Sequence, residues 1–424
     1  MSISGIRARV SRGYGDSVVR RSFVLLCLMG PAFAINLLFY YVAAALLTPL
    51  DFGLLYVAVT AANVLYSGSA VLNIFFTRYL VAVIRAGGDA AAYPARSRIQ
   101  DLVVRWGAPV ALACILSLLV FGRWIGVESW PLIVLIVLDA YTAYLIDIDR
   151  ALLQSLRRTV SLGTLTLIWM GLRFLLGVVG MALFKTAWGG MLGVVLATIV
   201  AIVVLSIVFA ARRDAAPQPF PALPSVRALL PVVLGYATLI LISNLDVLLT
   251  YLLLKNSTLG AYSASSVFPK GILVVITPFL QMLYPMMVAP QRTALDNSVV
   301  LQKSAGVIFA LSGAMALVVF LFSGWLCGGA WGLKLCQPRP LETLLLSAVL
   351  LSILRALVFY QSARARDWTA ISMLVPAAAY VWIAQVSLHS VETVAVQFTI
   401  FSAAVLFYYG ALSFIVERRL AVGR

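Results

Sequence analysis

Residues 23–47 read FVLLCLMGPAFAINLLFYYVAAALL, twenty-five positions without a charge. A hydrocarbon core ~30 Å thick is crossed by roughly 20 helical residues rising ~1.5 Å each, so this stretch can span a bilayer while remaining apolar on every face. Residues 191–211, MLGVVLATIVAIVVLSIVFAA, repeat the pattern. Barrel strands would alternate apolar and polar positions over about 10 residues; neither stretch does. Outward from them, polar breaks recur at the same spacing through all 424 residues, of which 63% are hydrophobic and 11% charged. The expected fold is all-α, a polytopic membrane protein of about twelve transmembrane helices near 22–47, 52–77, 102–121, 128–147, 159–184, 188–211, 229–254, 262–288, 303–326, 341–362, 368–388 and 392–416. Arg20-Arg21 and Ala32-Phe33-Ala34 outline a signal peptide, but the apolar run is too long for an h-region, and an uncleaved first helix is expected.

A net charge of +16 would suggest a nucleic-acid partner in a soluble protein. Here it falls in alternate loops. With the N-terminus inside, 22 of the 31 Lys and Arg residues lie in cytoplasmic segments, while the outer loops hold only Arg123, Lys185, Lys255, Lys334 and Arg339. The positive-inside rule therefore orients the chain in a bacterial inner membrane with both termini cytoplasmic, and no nucleic-acid partner is expected. Trp124, Trp130, Trp188, Trp325 and Trp331 fall at the expected outer interface, the level that amphipathic indoles favour.

Arg212 to Arg227, with Pro217, Pro219, Pro221 and Pro224, is the clearest linker. It divides the chain into a cytoplasmic tail (1–21), an N-lobe of helices 1–6 (22–211), a cytoplasmic linker (212–228), a C-lobe of helices 7–12 (229–416) and a second tail (417–424). Both lobes start inside, so an internal repeat would be parallel, about an axis along the membrane normal. Asp51-Phe52-Gly53-Leu54 and Leu259-Gly260-Ala261-Tyr262 are its two faint traces. Prolines inside helices, notably Pro31 and the set Pro269, Pro278 and Pro285, make the first and eighth helices candidates for bending. No Walker-type glycine loop, metal-ligand spacing or nucleophile motif appears, which excludes an intrinsic ATPase.

Charges at membrane depth cost at least ~2.5–3.5 kcal/mol each on insertion scales. Asp139, Arg173, Asp246, Lys270 and Arg355 are such charges. Depth alone pairs Asp139 with Arg173 on consecutive helices, and Asp246 with Lys270 on the next such hairpin. These pairs either neutralise one another inside the bundle or switch an ion, with Asp246 the better coupling candidate, Asp139 the other, and H⁺ or Na⁺ the coupling ion; no cofactor is expected. Arg355 has no acid at its depth. It either snorkels to the interface or joins Arg105, Arg173 and Lys270 around a cationic cavity suited to an anion, because arginine forks match phosphate oxygens. Cys327 and Cys336 flank the longest outer loop, where an oxidising compartment permits a disulfide; spacing leaves pairing and free thiols equally open.

Leu47-Thr48-Pro49-Leu50-Asp51-Phe52-Gly53-Leu54 resembles the signature between the first two helices of Wzx-type polysaccharide flippases, members of the multidrug/oligosaccharidyl-lipid/polysaccharide exporter superfamily. Asn244-Leu245-Asp246-Val247-Leu248-Leu249, Ser257 to Ala264 and Lys270 resemble that family's seventh and eighth helices. The resemblance implies a flippase that moves an undecaprenyl-diphosphate-linked oligosaccharide to the periplasmic leaflet by alternating access between two six-helix lobes. It would work amid membrane lipids and beside a polysaccharide polymerase and export machinery. One departure is Ser243-Asn244 ahead of Asp246, where many relatives carry an arginine. The alternatives are a small-solute or multidrug exporter of the same superfamily and a membrane enzyme of polysaccharide assembly, ligase or polymerase. The five deep charges sum to +1, +2 with Arg105, which disfavours cationic drugs; the longest outer loop, 324–340, lacks an acidic residue for catalysis.

Overall fold

The computed structural model describes residues 28, 30–121, 129–210, 226–254, 257–287, 294–328, 335–363, 366, 368–387 and 389–422. Among these the ordered elements are all helical: α1 (Gly30–Leu46), then α2 (Pro49–Tyr66), α3 (Gly68–Phe121), α4 (Trp130–Ser155), α5 (Thr159–Phe184), α6 (Ala187–Ala210), α7 (Val226–Leu253), α8 (Ser257–Met287), α9 (Ala294–Leu321), α10 (Ser323–Gly328), α11 (Pro338–Ala363), α12 (Trp368–Ile371), α13 (Leu374–Ser387) and α14 (Val391–Val422). Ten apolar spans are long enough to cross a membrane, α12 and α13 together forming one, and α1 and Ala305–Leu321 are shorter apolar helices. The protein is a multi-pass membrane protein.

Its surface has the polarity of lipid rather than water. Leu183, Trp382, Val386, Phe407 and Ile207 are each more than 65% exposed, an apolar coat that in water would be an aggregation patch and in a bilayer meets acyl chains. Buried hydroxyls are satisfied within their own helices: Ser243, Thr250, Ser312, Ser352 and Ser402 each donate to the carbonyl four residues back. With no water at that depth, such local bonds are the cheapest way to carry a polar side chain.

The expected helices 303–326 and 368–388 are each broken by a turn, at Phe322 and at Ser372-Met373, and three other departures bear on the site. The expected second helix, 52–77, is interrupted at Ser67, whose N–H and hydroxyl both turn back to the carbonyl of Val64. Leu65 gives its carbonyl to the hydroxyl of Tyr144 on α4 instead, at 2.9 Å. The expected loop 78–101 is helical on both sides of Gly88, where φ of 74° and ψ of 178° reverse the chain. Its second arm buries Ala91, Ala92, Ala95 and Ile99 against α4, one helical face that the basic residues around it conceal from a charge-based reading. The expected fourth helix, ending at 147, continues to Ser155 because the charges beyond 147 are paired and buried rather than solvated. Of the expected linker 212–228, residues 226–228 begin α7 and the remainder lies outside the described residues, as do the cytoplasmic tail 1–21, Arg123, Trp124, Trp331 and Lys334.

The halves α1–α6 and α7–α14 meet chiefly through α2 against α8 and α7. We call upper the end of the bundle where α2 begins at Pro49 and α8 at Ser257, and lower the end carrying Gly88 and Ser155. At the upper end the backbones touch. A Cβ on Gly53 would lie 2.7 Å from Leu259 Cγ, and one on Gly260 would lie 2.3 Å from the carbonyl oxygen of Pro49. Thr48 caps α2 by accepting from the Asp51 N–H at 3.2 Å, and Asp51 accepts from the N–H of Ala187 at 3.2 Å, so the N-terminus of α2 is fastened to α6 in its own half.

Candidate functional site

Below that contact the halves diverge around a cavity of about 310 Å³. The first half contributes Tyr40, Tyr56, Thr60, Tyr66, Asp147, Arg150 and Arg173, and the second Tyr236, Asn244, Lys270, Thr277 and Arg355. Aromatic rings, amides, hydroxyls and aliphatic side chains share the wall; four cations stand in it.

Three of the four have a carboxylate. Arg173 Nη2 lies 3.4 Å from Asp139 Oδ2, with its guanidinium 5.2 Å over the ring of Trp169; Trp169 is held in turn by donation to Thr198 Oγ1 at 3.1 Å. Lys270 Nζ donates to Asp246 Oδ1 at 2.7 Å and to the carbonyl of Ser243, and lies 4.7 Å over the ring of Phe398. Asp246 is fully buried, its other oxygen accepting from the Tyr262 hydroxyl at 2.6 Å. The structure thus brings together both pairs that depth alone suggested. Arg150 Nη1 donates to Asp147 Oδ1 at 2.9 Å, and Tyr66 donates to Asp147 Oδ2 at 2.8 Å.

Arg355 is the exception. It is 7% exposed, and among the described residues its Nη1 donates to two neutral acceptors of α8, the carbonyl of Leu273 at 3.0 Å and Thr277 Oγ1 at 3.1 Å. Its Nε is buried without a hydrogen-bond partner among the described residues. With no acid paired to it among the described residues, Arg355 leaves the described cavity wall with one positive charge in excess. It does not snorkel, because α8 covers it. A buried, uncompensated charge is expensive.

Arg105 is corrected. Depth placed it with the cavity cations, but depth along a helix does not fix azimuth: Arg105 is exposed and lines a separate groove between α3 and α6. The sequence reading also passed over Asp147 and Arg150 as cavity groups, since both were assigned to the end of a helix and its loop. Their spacing of three within Asp147-Ile148-Asp149-Arg150 was the available signal, one helix face carrying an acid and a base. Asp149, on another face, is fully buried and accepts from Arg96 Nε at 2.7 Å, a bond inside the first half and away from the cavity. Cys327 and Cys336 are bonded to one another, and the following Gln337 N–H donates to Ser265 Oγ on α8 at 3.0 Å. No group of three metal-ligating side chains occurs among the described residues.

Neither a protein-family profile nor a curated protein sequence matches the chain. Solved structures do. A mutant of the Vibrio cholerae MATE transporter VcmN superposes with a TM-score of 0.69 at 15% identity over 95% of this chain and 97% of that one. The protein has a MATE-transporter fold. An outward-facing conformation of a multidrug-resistance MATE-family transporter of the MOP superfamily superposes at 0.66, 14% identical, over 95% of this chain and 96% of that one. An inward-facing conformation gives 0.65, 14% identical, over 94% and 99%. In this MATE-like fold the cavity is the space between the two halves, and Arg355, on α11, is part of its wall beside α8. The superfamily named in those structures is the one the two motifs resemble. None of the three is a polysaccharide flippase, and at these identities the likeness concerns the fold.

Proposed function

We propose that the protein is an exporter working by alternating access, and that its cargo carries an anionic group seated at Arg355. Three observations support this reading. The upper end is closed by backbone contact between the halves while the cavity lies below it, which is one of two arrangements an alternating carrier must adopt. Proteins of this fold are known in inward-facing and outward-facing conformations. The excess of basic residues in the loops of the lower end supports a cytoplasmic orientation for that end, and in that orientation cargo enters from inside. The single observation that carries the cargo class is Arg355, the one cavity cation without a carboxylate among the described residues.

The exporter of small solutes is the reading the solved neighbours favour, with the restriction that a surplus positive cavity selects against cationic drugs. A second reading has its own support. A diphosphate headgroup suits an arginine fork, and the two motifs resemble lipid-linked polysaccharide flippases, so an undecaprenyl-diphosphate-linked oligosaccharide is the second candidate cargo. Asp246 is the candidate coupling group in either case: it is sealed from solvent, and its ionic partner among the described residues is a lysine that lines the cavity.

The test uses the full chain in lipid nanodiscs. Ligands that bind only the folded state raise its stability by RT ln(1 + [L]/Kd). Inorganic pyrophosphate should raise the melting temperature of the wild type and not of Arg355→Gln. Undecaprenyl diphosphate and a small anionic dye then separate the two cargo readings. Stabilisation by a lipophilic cation and by no anion would overturn the proposal.

A further inference from the structure

The groove that holds Arg105 encloses about 640 Å³ between the second arm of α3 and the lower part of α6, on the outside of the first half. Its lower end is shut by aromatic contact: the rings of Tyr93 and Phe209 are 6.0 Å apart, and the Arg96 guanidinium lies 5.3 Å over Phe209. Arg96 is already committed to Asp149 at 2.6 Å. That leaves Asp101 and Arg105 as the groove's free charges. They are four residues apart, hence on one helix face with their Cβ atoms about 5–6 Å apart. Both are exposed, yet they form no ion pair with each other, and neither has a hydrogen bond or ion pair among the described residues. Above and beside them the walls are apolar, with Val104, Val203 and Ile207 respectively 44%, 51% and 67% exposed.

Depth identifies the environment. Arg105 and Asp101 lie sixteen and twenty residues from the upper end of α3 at Phe121, or ~24 and ~30 Å at ~1.5 Å per residue. Against a hydrocarbon core of ~30 Å they stand at the headgroup boundary of the lower leaflet. A groove at that level, lined by Val104, Val203 and Ile207 with Ser97, Gln100 and Ser206 among them and carrying one free acid and one free base, matches a lipid whose headgroup is itself a zwitterion.

We propose that this groove is a binding site for an aminophospholipid, phosphatidylethanolamine, with its phosphate on Arg105, its primary ammonium on Asp101 and an acyl chain against Val104, Val203 and Ile207. Charge complementarity selects among headgroups. Phosphatidylcholine carries the same charges but its quaternary nitrogen has no N–H to donate to Asp101. Phosphatidylglycerol seats its phosphate on Arg105 but brings only neutral hydroxyls to Asp101, whose charge is left without a cation. The site is independent of the cavity and of any cargo.

The experiment is native mass spectrometry of the full chain extracted from mixed micelles containing equal parts dioleoyl phosphatidylethanolamine, phosphatidylcholine and phosphatidylglycerol. The wild type should retain one phosphatidylethanolamine in preference to the other two by about tenfold, the size of one charge-assisted hydrogen bond. Arg105→Gln should lose that retained lipid, and Asp101→Asn should shift the preference to phosphatidylglycerol. Both side chains are exposed and unpaired, so neither change removes a packing contact, and unaltered elution and helicity will establish that the variants fold. Equal retention of the three lipids by the wild type would mean annular lipid only and would overturn the site. So would an unchanged preference in both variants.

Discussion

Replacing Gly260 by alanine would set a methyl group 2.3 Å from the carbonyl oxygen of Pro49 and 2.9 Å from its carbonyl carbon. Both are backbone atoms, so no rotamer change relieves the overlap; α8 must withdraw from the α2 turn. Overpacking of this kind costs about 1–3 kcal/mol. Pro49 belongs to the first half and Gly260 to the second, so the cost falls only on the conformer whose upper end is closed. At about 1.4 kcal/mol per factor of ten, the balance between upper-closed and upper-open conformers should move about five- to 150-fold towards open. A chain with Cys27 and Cys114 replaced by serine and a single reporter cysteine at Thr60, in the cavity wall, reads this directly through a membrane-impermeant maleimide. In oriented vesicles, Gly260→Ala should slow labelling from the lower face and speed it from the upper. Gly193→Ala is the control. Its Cβ would lie 2.1 Å from the carbonyl oxygen of Leu176, an equally severe clash but within the first half, so it should lower the melting temperature without altering the ratio of labelling rates. If Gly260→Ala folds and labels from both faces as the wild type does, the contact is not a gate and the reasoning fails.

Two further outcomes follow from the buried ion pairs. Asp149→Asn leaves the Arg96 guanidinium, 6% exposed, without its acid; breaking a buried pair costs about 3–5 kcal/mol, so thermal unfolding followed by tryptophan fluorescence should move down by several degrees, and no shift would mean that water already reaches the pair. Asp246→Asn should abolish the dependence of transport on a pH gradient in proteoliposomes, and the double variant with Lys270→Gln should recover much of the stability that either single change loses. A gradient response unchanged by Asp246→Asn would remove Asp246 from the coupling step.

Helix number and the two intramembrane pairs were legible because each rests on one dimension. Residues 23–47 and 191–211 declare their spans by length and polarity, and Asp139, Arg173, Asp246 and Lys270 declare their partners by depth on consecutive helices. What failed needed a second dimension. Arg105 has the depth of a cavity residue and the azimuth of a lipid-facing one, and azimuth depends on how α3 packs against α4. Arg96, Asp147, Asp149 and Arg150 look like loop charges until the second arm of α3 buries against the extended α4. The contact of Gly53 with Gly260 was present only as a faint repeat of Asp51-Phe52-Gly53-Leu54 in Leu259-Gly260-Ala261-Tyr262; that the two glycines meet each other across the halves is a tertiary fact.

If cargo sits at Arg355 as proposed, the register of α8 gives it a route to the proposed coupling group. Lys270, Leu273 and Thr277 fall at i, i+3 and i+7, one stripe of the helix. Arg355 is bonded to the last two, and the first is bonded to Asp246. An anion drawn to Arg355 therefore arrives beside the same stripe that carries the Lys270 ammonium. Lys270 is part of the cavity wall, whereas Asp246 is sealed behind it, so of the two partners only the lysine can respond to cargo. Each step of its ammonium towards the anion weakens the contact with Asp246 and leaves a buried carboxylate whose charge only Tyr262 still contacts by hydrogen bond. In the proposed coupling a cation would restore neutrality, and a fully buried site admits H⁺ more readily than a hydrated metal ion. On this reading anion binding and proton uptake are one event seen from the two ends of Lys270, and the loss of gradient dependence in Asp246→Asn is the consequence that separates it from a pair that merely neutralises itself.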